Sequence, residues 1–193
     1  MSGDQTGAAP RTHHVVVIGV SGSGKSTIAA ELAGRLNLRF ADADDFHPPA
    51  NVAKMSEGIP LTDEDRLPWL QSLATWMRER GAAGESTVLA CSALKRSYRD
   101  LLREGGGQVA FLHLDGPAET ILSRMRTRDH FMPPSLLESQ IATLEPLEAD
   151  EPGTALDLTL TREEIVDRAE DWLVGPGGLP APPDRPHRGG DPR

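Results

Sequence analysis

Hydrophobic positions along this chain change their spacing repeatedly, and each change marks an element. Residues 15–18 form a continuous β-branched run of the length expected for a buried strand. Over residues 25–36 the apolar positions Ile28, Ala29, Leu32, Ala33 and Leu36 recur at intervals that share one helical face. The same reading predicts further strands at 39–41, 87–91, 109–114 and 155–160. It predicts helices at 48–57, 65–80, 95–103, 117–128 and 135–144. In the 65–80 helix, Leu70, Leu73, Ala74 and Met77 fall on the inward side. A last helix opens on Thr161-x-x-Glu164, a capping box, and carries Ile165, Val166, Ala169, Trp172 and Leu173. Short apolar strands alternating with amphipathic helices predict an α/β fold, a five-stranded parallel sheet covered by helices on both faces.

Both ends break the pattern. Residues 1–13 are small and polar, and 175–193 are dominated by Gly and Pro. Such segments bury too little apolar surface to offset their ordering entropy, so both are expected to be disordered tails around one domain, 14–174. Composition then narrows the partners. The chain has 193 residues and a net charge of −9, and the tails are nearly neutral, so the body carries about −10. An acidic body repels nucleic-acid phosphates and anionic membrane, and 4% aromatics leave little for base stacking. Neither nucleic acid nor membrane is an expected partner. Cys91 is the only cysteine, which excludes an internal disulfide and a cysteine-based zinc cage. With no apolar secretory region and no run long enough to cross a bilayer, the expected location is cytoplasmic.

The clearest chemistry lies between the first strand and the first helix. Gly19-Val20-Ser21-Gly22-Ser23-Gly24-Lys25-Ser26 fits G-x-x-x-x-G-K-[ST] at every fixed position, followed by Thr27. Glycines let the backbone wrap a phosphate with its N–H groups inward, and the helix N-terminus adds positive potential. Lys25 can reach the β- and γ-phosphates, and the Ser26 hydroxyl can ligate Mg²⁺. Gly19, Ser21, Gly22, Ser23, Gly24, Lys25, Ser26 and Thr27 are therefore the expected ATP-binding residues. A guanine-reading N-K-x-D segment is absent, because Asn37 and Asn51 are followed by Leu38 and Val52. The length leaves no room for an added mechanical module, which points to a small kinase.

A second constellation, Asp42-Ala43-Asp44-Asp45-Phe46-His47-Pro48, follows the second strand. Carboxylates at i and i+2 on an extended strand end point the same way, into the crevice where open α/β sheets bind ligands. One could hold the Mg²⁺ water shell and the other could take a proton from a substrate hydroxyl. The alternative is a solvated acidic turn that caps the next helix.

Residues 42–70, read as D-x-D-x-x-H-P-x-x-N-x-x-K-M-x-x-G-x-P-L-x-D-x-D-R-x-P-W-L, closely resemble the substrate region of bacterial gluconokinases. Cys91-Ser92-Ala93-Leu94-Lys95-Arg96-x-Tyr98-Arg99-Asp100 resembles that family's third-strand motif. Arg124, Arg128-x-His130-Phe131, Leu137-x-Ser139-Gln140 and Leu144-Glu145 resemble its lid and the helix after it. One departure is Ala43, where the family usually has Gly. The resemblance covers about residues 14–174. It implies the nucleoside-monophosphate-kinase-like P-loop fold, close to shikimate kinases. It also implies the reaction ATP + D-gluconate → ADP + 6-phospho-D-gluconate with Mg²⁺, which feeds sugar-acid catabolism into the pentose phosphate pathway. Family members are often dimers, so a homodimer is a further expectation.

Roles follow from that chemistry. Asp44 orients the attacking hydroxyl and accepts its proton, and Asp42 acts on Mg²⁺ through water. Lys25, Arg124 and Arg128 supply charge to the phosphates, the two arginines as a lid around 124–134. Asp44, His47, Lys54, Arg66, Ser92 and His130 are the expected substrate-binding set. The three lysines, Lys25, Lys54 and Lys95, each fall in a motif, which suggests a focused positive pocket in an acidic protein. Cys91 reads as a small core residue, His113 as a satisfied structural histidine, and Trp69 and Trp76 as packing. Two alternatives stay open: a kinase for another small hydroxy acid such as shikimate, and a non-catalytic nucleotide sensor.

Overall fold

The computed structural model describes residues 12–126 and 134–180. Strands β1 (His13–Ile18), β2 (Arg39–Asp42), β3 (Thr87–Ala90), β4 (Gln108–Asp115) and β5 (Gly153–Asp157) form one sheet in the order β2-β3-β1-β4-β5. All four pairings are parallel. Helices α1 (Lys25–Leu36), α2 (Pro49–Ser56), α3 (Asp63–Ala82), α4 (Arg96–Arg103), α5 (Ala118–Arg126), α6 (Pro134–Thr143) and α7 (Arg162–Val174) make the connections.

The central strand shows why helices cover both faces. Successive side chains of β1 point to opposite sides. Val15 and Val17 join a core with Ile28 and Leu32 of α1 and Val166 and Leu173 of α7. Val16 and Ile18 join a second core with Trp69, Leu73 and Met77 of α3 and Leu102 of α4. A strand buried on both sides reads as an unbroken apolar run, as 15–18 does.

The α/β class and the five strands agree with the pattern, with local shifts. Helix α3 begins two residues before the predicted 65 because Thr62 and Asp65 form a capping box, with Thr62 accepting from the Asp65 N–H at 3.2 Å. Strand β5 lies two residues earlier than predicted: the Asp157 carboxylate accepts from the Thr159 N–H (2.8 Å) and hydroxyl (2.7 Å), turning the chain before 160. The boundaries of the expected tails move too. His13 is a buried β1 residue, and the chain beyond α7 stays packed to Leu179, which is 5% exposed and donates its N–H to the Leu173 carbonyl. Residues 1–11 and 181–193 lie outside the described residues.

Candidate active site

Both predicted constellations sit where parallel strands end. The loop from Gly19 to Gly24 leaves β1, and the Ser92 loop leaves β3 beside it. The Gly19 N–H approaches the Ser92 carbonyl at 3.4 Å, tying the two loops together. Gly24 precedes α1 at φ +95°, and Gly19 lies so near Leu114 that a Cβ would meet its carbonyl oxygen at 3.0 Å. The wrapped geometry thus needs glycine at both ends of the loop. Lys25 donates from Nζ to the Val20 carbonyl at 2.9 Å, folding back over the loop. Thr27 is half-buried in the first turn of α1. Ser23 is fully buried within the loop.

Asp42 ends β2 and caps a 3-10 turn, Ala43–Phe46, accepting the Asp44 N–H at 3.0 Å. Asp44 is therefore aimed by a turn, and not by the extended strand end that the i, i+2 spacing suggested. The other Asp42 oxygen accepts from the Ser26 hydroxyl. Ala43 is fully buried in the second core, and its carbonyl accepts the Trp69 indole N–H at 2.7 Å. The methyl that replaces the family's usual glycine has a place, at negative φ.

Lys25, Asp44, His47, Arg66, Trp69 and Ser92 line one cleft of about 290 Å³, together with Ser21 and Gln140. The Asp44 carboxylate is open to this cleft, with its side chain 87% exposed. The surrounding walls still displace bulk water, and that desolvation, with repulsion from Asp42 and Asp45, raises its pKa against the opposing pull of Lys25. Asp45, left without a role by the motif, acts here on Asp44. His47 stacks on Trp69 at 4.2 Å between ring centroids and 14° between planes. Burial, then the charge of Arg66, lowers its pKa to about 4, so it is a neutral imidazole and not a cation. Arg66 lies 5.6 Å from the centre of the Tyr98 ring. A larger hollow of about 810 Å³ beside His13, Arg103 and Leu179 opens at the strands' amino ends, away from both constellations.

Not every predicted residue reaches the cleft. Both Asp65 carboxylate oxygens hold Lys54 Nζ, at 2.7 and 2.8 Å, and Lys54 does not line the cavity. Asp63 likewise takes Lys95, at 2.9 Å to each oxygen. Of the three lysines only Lys25 lines the cleft, which corrects the expectation of a pocket focused by all of them. Arg124 belongs to α5, and nothing of its side chain is described; Arg128 and His130 lie outside the described residues, as does most of the expected lid.

Two contributors escaped the sequence reading as site residues. The Gln140 amide oxygen accepts the Ser21 N–H at 2.7 Å, joining α6 to the phosphate loop. Asn51 is 3% exposed and bridges His47 to α3. Trp69, read as packing, also forms the floor under His47.

With this geometry established, comparison places the chain among known proteins. A family model described as an AAA domain matches residues 15–147. The chain is 52% identical over 149 residues to the gluconokinase of Gluconobacter oxydans (strain 621H), covering 77% of this chain and 83% of that one. It belongs to the gluconokinase family. Among solved structures, an unliganded sugar kinase from Janibacter sp. HTCC2649 is 61% identical, with a TM-score of 0.82 over 86% of this chain and 97% of that one. A gluconokinase from Sinorhizobium meliloti 1021 is 47% identical, with a TM-score of 0.74 over 83% and 90%. For a member of this family, the pairing of phosphate loop and Asp44 in one cleft is the feature on which chemistry has to be built.

Proposed function

We propose that the protein transfers the γ-phosphoryl group of ATP to D-gluconate, giving ADP and 6-phospho-D-gluconate. The observation that carries this reading is a single cleft lined by Ser21 and Lys25 of the phosphate loop together with Asp44, His47 and Arg66. Gluconate offers hydroxyls to Asp44 and His47 and a carboxylate to the Arg66 guanidinium. Its primary hydroxyl oxygen attacks the γ-phosphorus. The new O–P bond forms as the bond to the β,γ-bridging oxygen breaks, its electrons leaving with ADP, and the hydroxyl proton passes to Asp44. Phosphoryl transfer runs through a loose transition state, so orientation by Asp44 and charge from Lys25 count for more than a strong base.

The Ser26 hydroxyl and Asp42 carboxylate are hard oxygen donors in mutual contact at the phosphate end, a set that fits Mg²⁺. Ser26 would hold the ion directly and Asp42 through a water; bound there, it neutralises charge building on the phosphates. Gly19, Ser21, Gly22, Gly24 and Thr27 complete the nucleotide cradle. Arg124 and Arg128 are assigned to the phosphates and His130 to the sugar acid by their motif. Among the described residues no helix is long and apolar enough to cross a membrane. A cytoplasmic homodimer completes the proposal.

Coupled ADP release tests the substrate. Turnover with gluconate should exceed that with shikimate or other hydroxy acids, and faster turnover with shikimate would overturn the assignment.

A further inference from the structure

Asn51 has no role in the scheme above, yet it is one of the few buried polar side chains beside the cleft. Its amide nitrogen lies 2.9 Å from the Asp65 carbonyl oxygen and 3.3 Å from His47 Nδ1. A carbonyl only accepts, so the group facing it is the NH₂, which fixes the orientation of the amide. Its second hydrogen then points at His47 Nδ1, which must accept. Because the ring is neutral, its one proton sits on Nε2. The stack on Trp69 prevents the ring from tilting away. His47 Nε2 lies 4.0 Å from Asp44 Oδ1, too far for a direct hydrogen bond. A hydroxyl oxygen about 2.8 Å from each atom fits that gap, accepting from one and donating to the other.

We propose that Asn51 is a positioning residue that holds His47 as the Nε2–H tautomer, so that His47 and Asp44 together grip the attacking hydroxyl of the acceptor. His47 donates to the hydroxyl oxygen and Asp44 accepts its proton, which leaves a lone pair free for phosphorus. The fixed donor and acceptor reject a group that can only donate, such as an ammonium. This rests on the kinase reading for its substrate, whereas the tautomer does not depend on it.

The test uses the full chain, labelled with ¹⁵N at the imidazoles, with His47→Gln assigning the His47 signals. At pH 7 without ligand the His47 resonances should show a protonated Nε2 and an unprotonated Nδ1. Asn51→Leu should mix the tautomers and lower kcat with gluconate by about tenfold or more, with the KM for ATP within about twofold. His47→Gln keeps an N–H donor near the Nε2 position and should retain more kcat than His47→Asn. In a His47→Gln background, Asn51→Leu should cost little further kcat, because the pair acts as a unit. The proposal is overturned by an Nδ1–H tautomer in the wild type. It is equally overturned if Asn51→Leu costs as much kcat with His47→Gln as without it. Where wild-type protein turns over no gluconate, the substrate reading fails, and the imidazole spectrum still decides the tautomer.

Discussion

At the residue scale, environment rather than identity sets what each group does. Asp42 spends its carboxylate on the Ser26 hydroxyl and the Asp44 N–H, while Asp44 faces the cleft, where desolvation and its acidic neighbours raise its pKa. Activity should therefore fall on acidification at a higher pH than an ordinary carboxylate would give, since the protonated form cannot accept the hydroxyl proton. Asp44→Asn should lower kcat at least ~10²-fold, as removal of a general base does. Steady-state kinetics would check this, and an unchanged kcat would remove Asp44 from its role. His47 makes a separate prediction through stability. Its pKa is about 4 when folded against 6.5 unfolded, so the unfolded chain binds the extra proton between those values. The contribution is present in full above pH 6.5 and lost as pH falls through 4, about 3 kcal/mol in all. As pH drops through that window, thermal melts should show wild type losing stability relative to His47→Gln, and a difference between the two that does not change with pH would contradict this. Elsewhere, burial pushes the Cys91 thiol up to about 12, which keeps it an inert core residue. His113 is buried, and its Nε2 has no hydrogen-bond partner among the described residues, unlike the satisfied histidine expected there.

At the element scale, the loops that build the cleft are anchored from behind by ion pairs. Arg99 on α4 is fully buried with Glu151, Nε to Oε1 at 2.6 Å, and also donates to the carbonyls of Ala93, Leu94, Glu145 and Pro146. These bonds hold the segment after β3, where Ala93 sits at φ +34°. Removing one partner leaves a buried charge, so Glu151→Ala should cost about 3–5 kcal/mol in denaturant unfolding. A loss below about 1 kcal/mol would show that the pair is dispensable. Lys54 and Asp65 join α2 to α3 at the protein surface. Lys54→Met should therefore change stability by no more than about 1 kcal/mol, with a smaller effect on gluconate KM than Arg66→Met. The start of α7 was legible because Thr161 and Glu164 cap it locally, whereas the expected start of α3 fell two residues late, at 65, because the equally local Thr62–Asp65 box was not read. Lys54 was not legible as a clamp, because its partner lies 11 residues away and meets it only after two helices pack. The burial of Ser23 and the tautomer of His47 were hidden for the same reason.

Across the whole molecule, the parallel sheet brings segments far apart in sequence to one edge. Phosphate loop, 3-10 turn, Ser92 loop and α6 meet there, although Ser21 and Gln140 are separated by 119 residues. Periodicity revealed the strands and their buried faces, but not the order β2-β3-β1-β4-β5, which long-range pairing decides. The motifs nonetheless located most of the cleft, because a phosphate cradle and paired carboxylates each depend on short spacing. The acidic body leaves the phosphate end dependent on few cations, with Lys25 foremost among those described.

Incubation of the purified chain with ATP, Mg²⁺ and D-gluconate, followed by ³¹P NMR, tests the central claim most directly. A phosphomonoester signal on the primary carbon should grow in step with ADP, and Lys25→Ala should abolish it. Inorganic phosphate in place of the ester, or the ester formed undiminished by Lys25→Ala, would contradict the account.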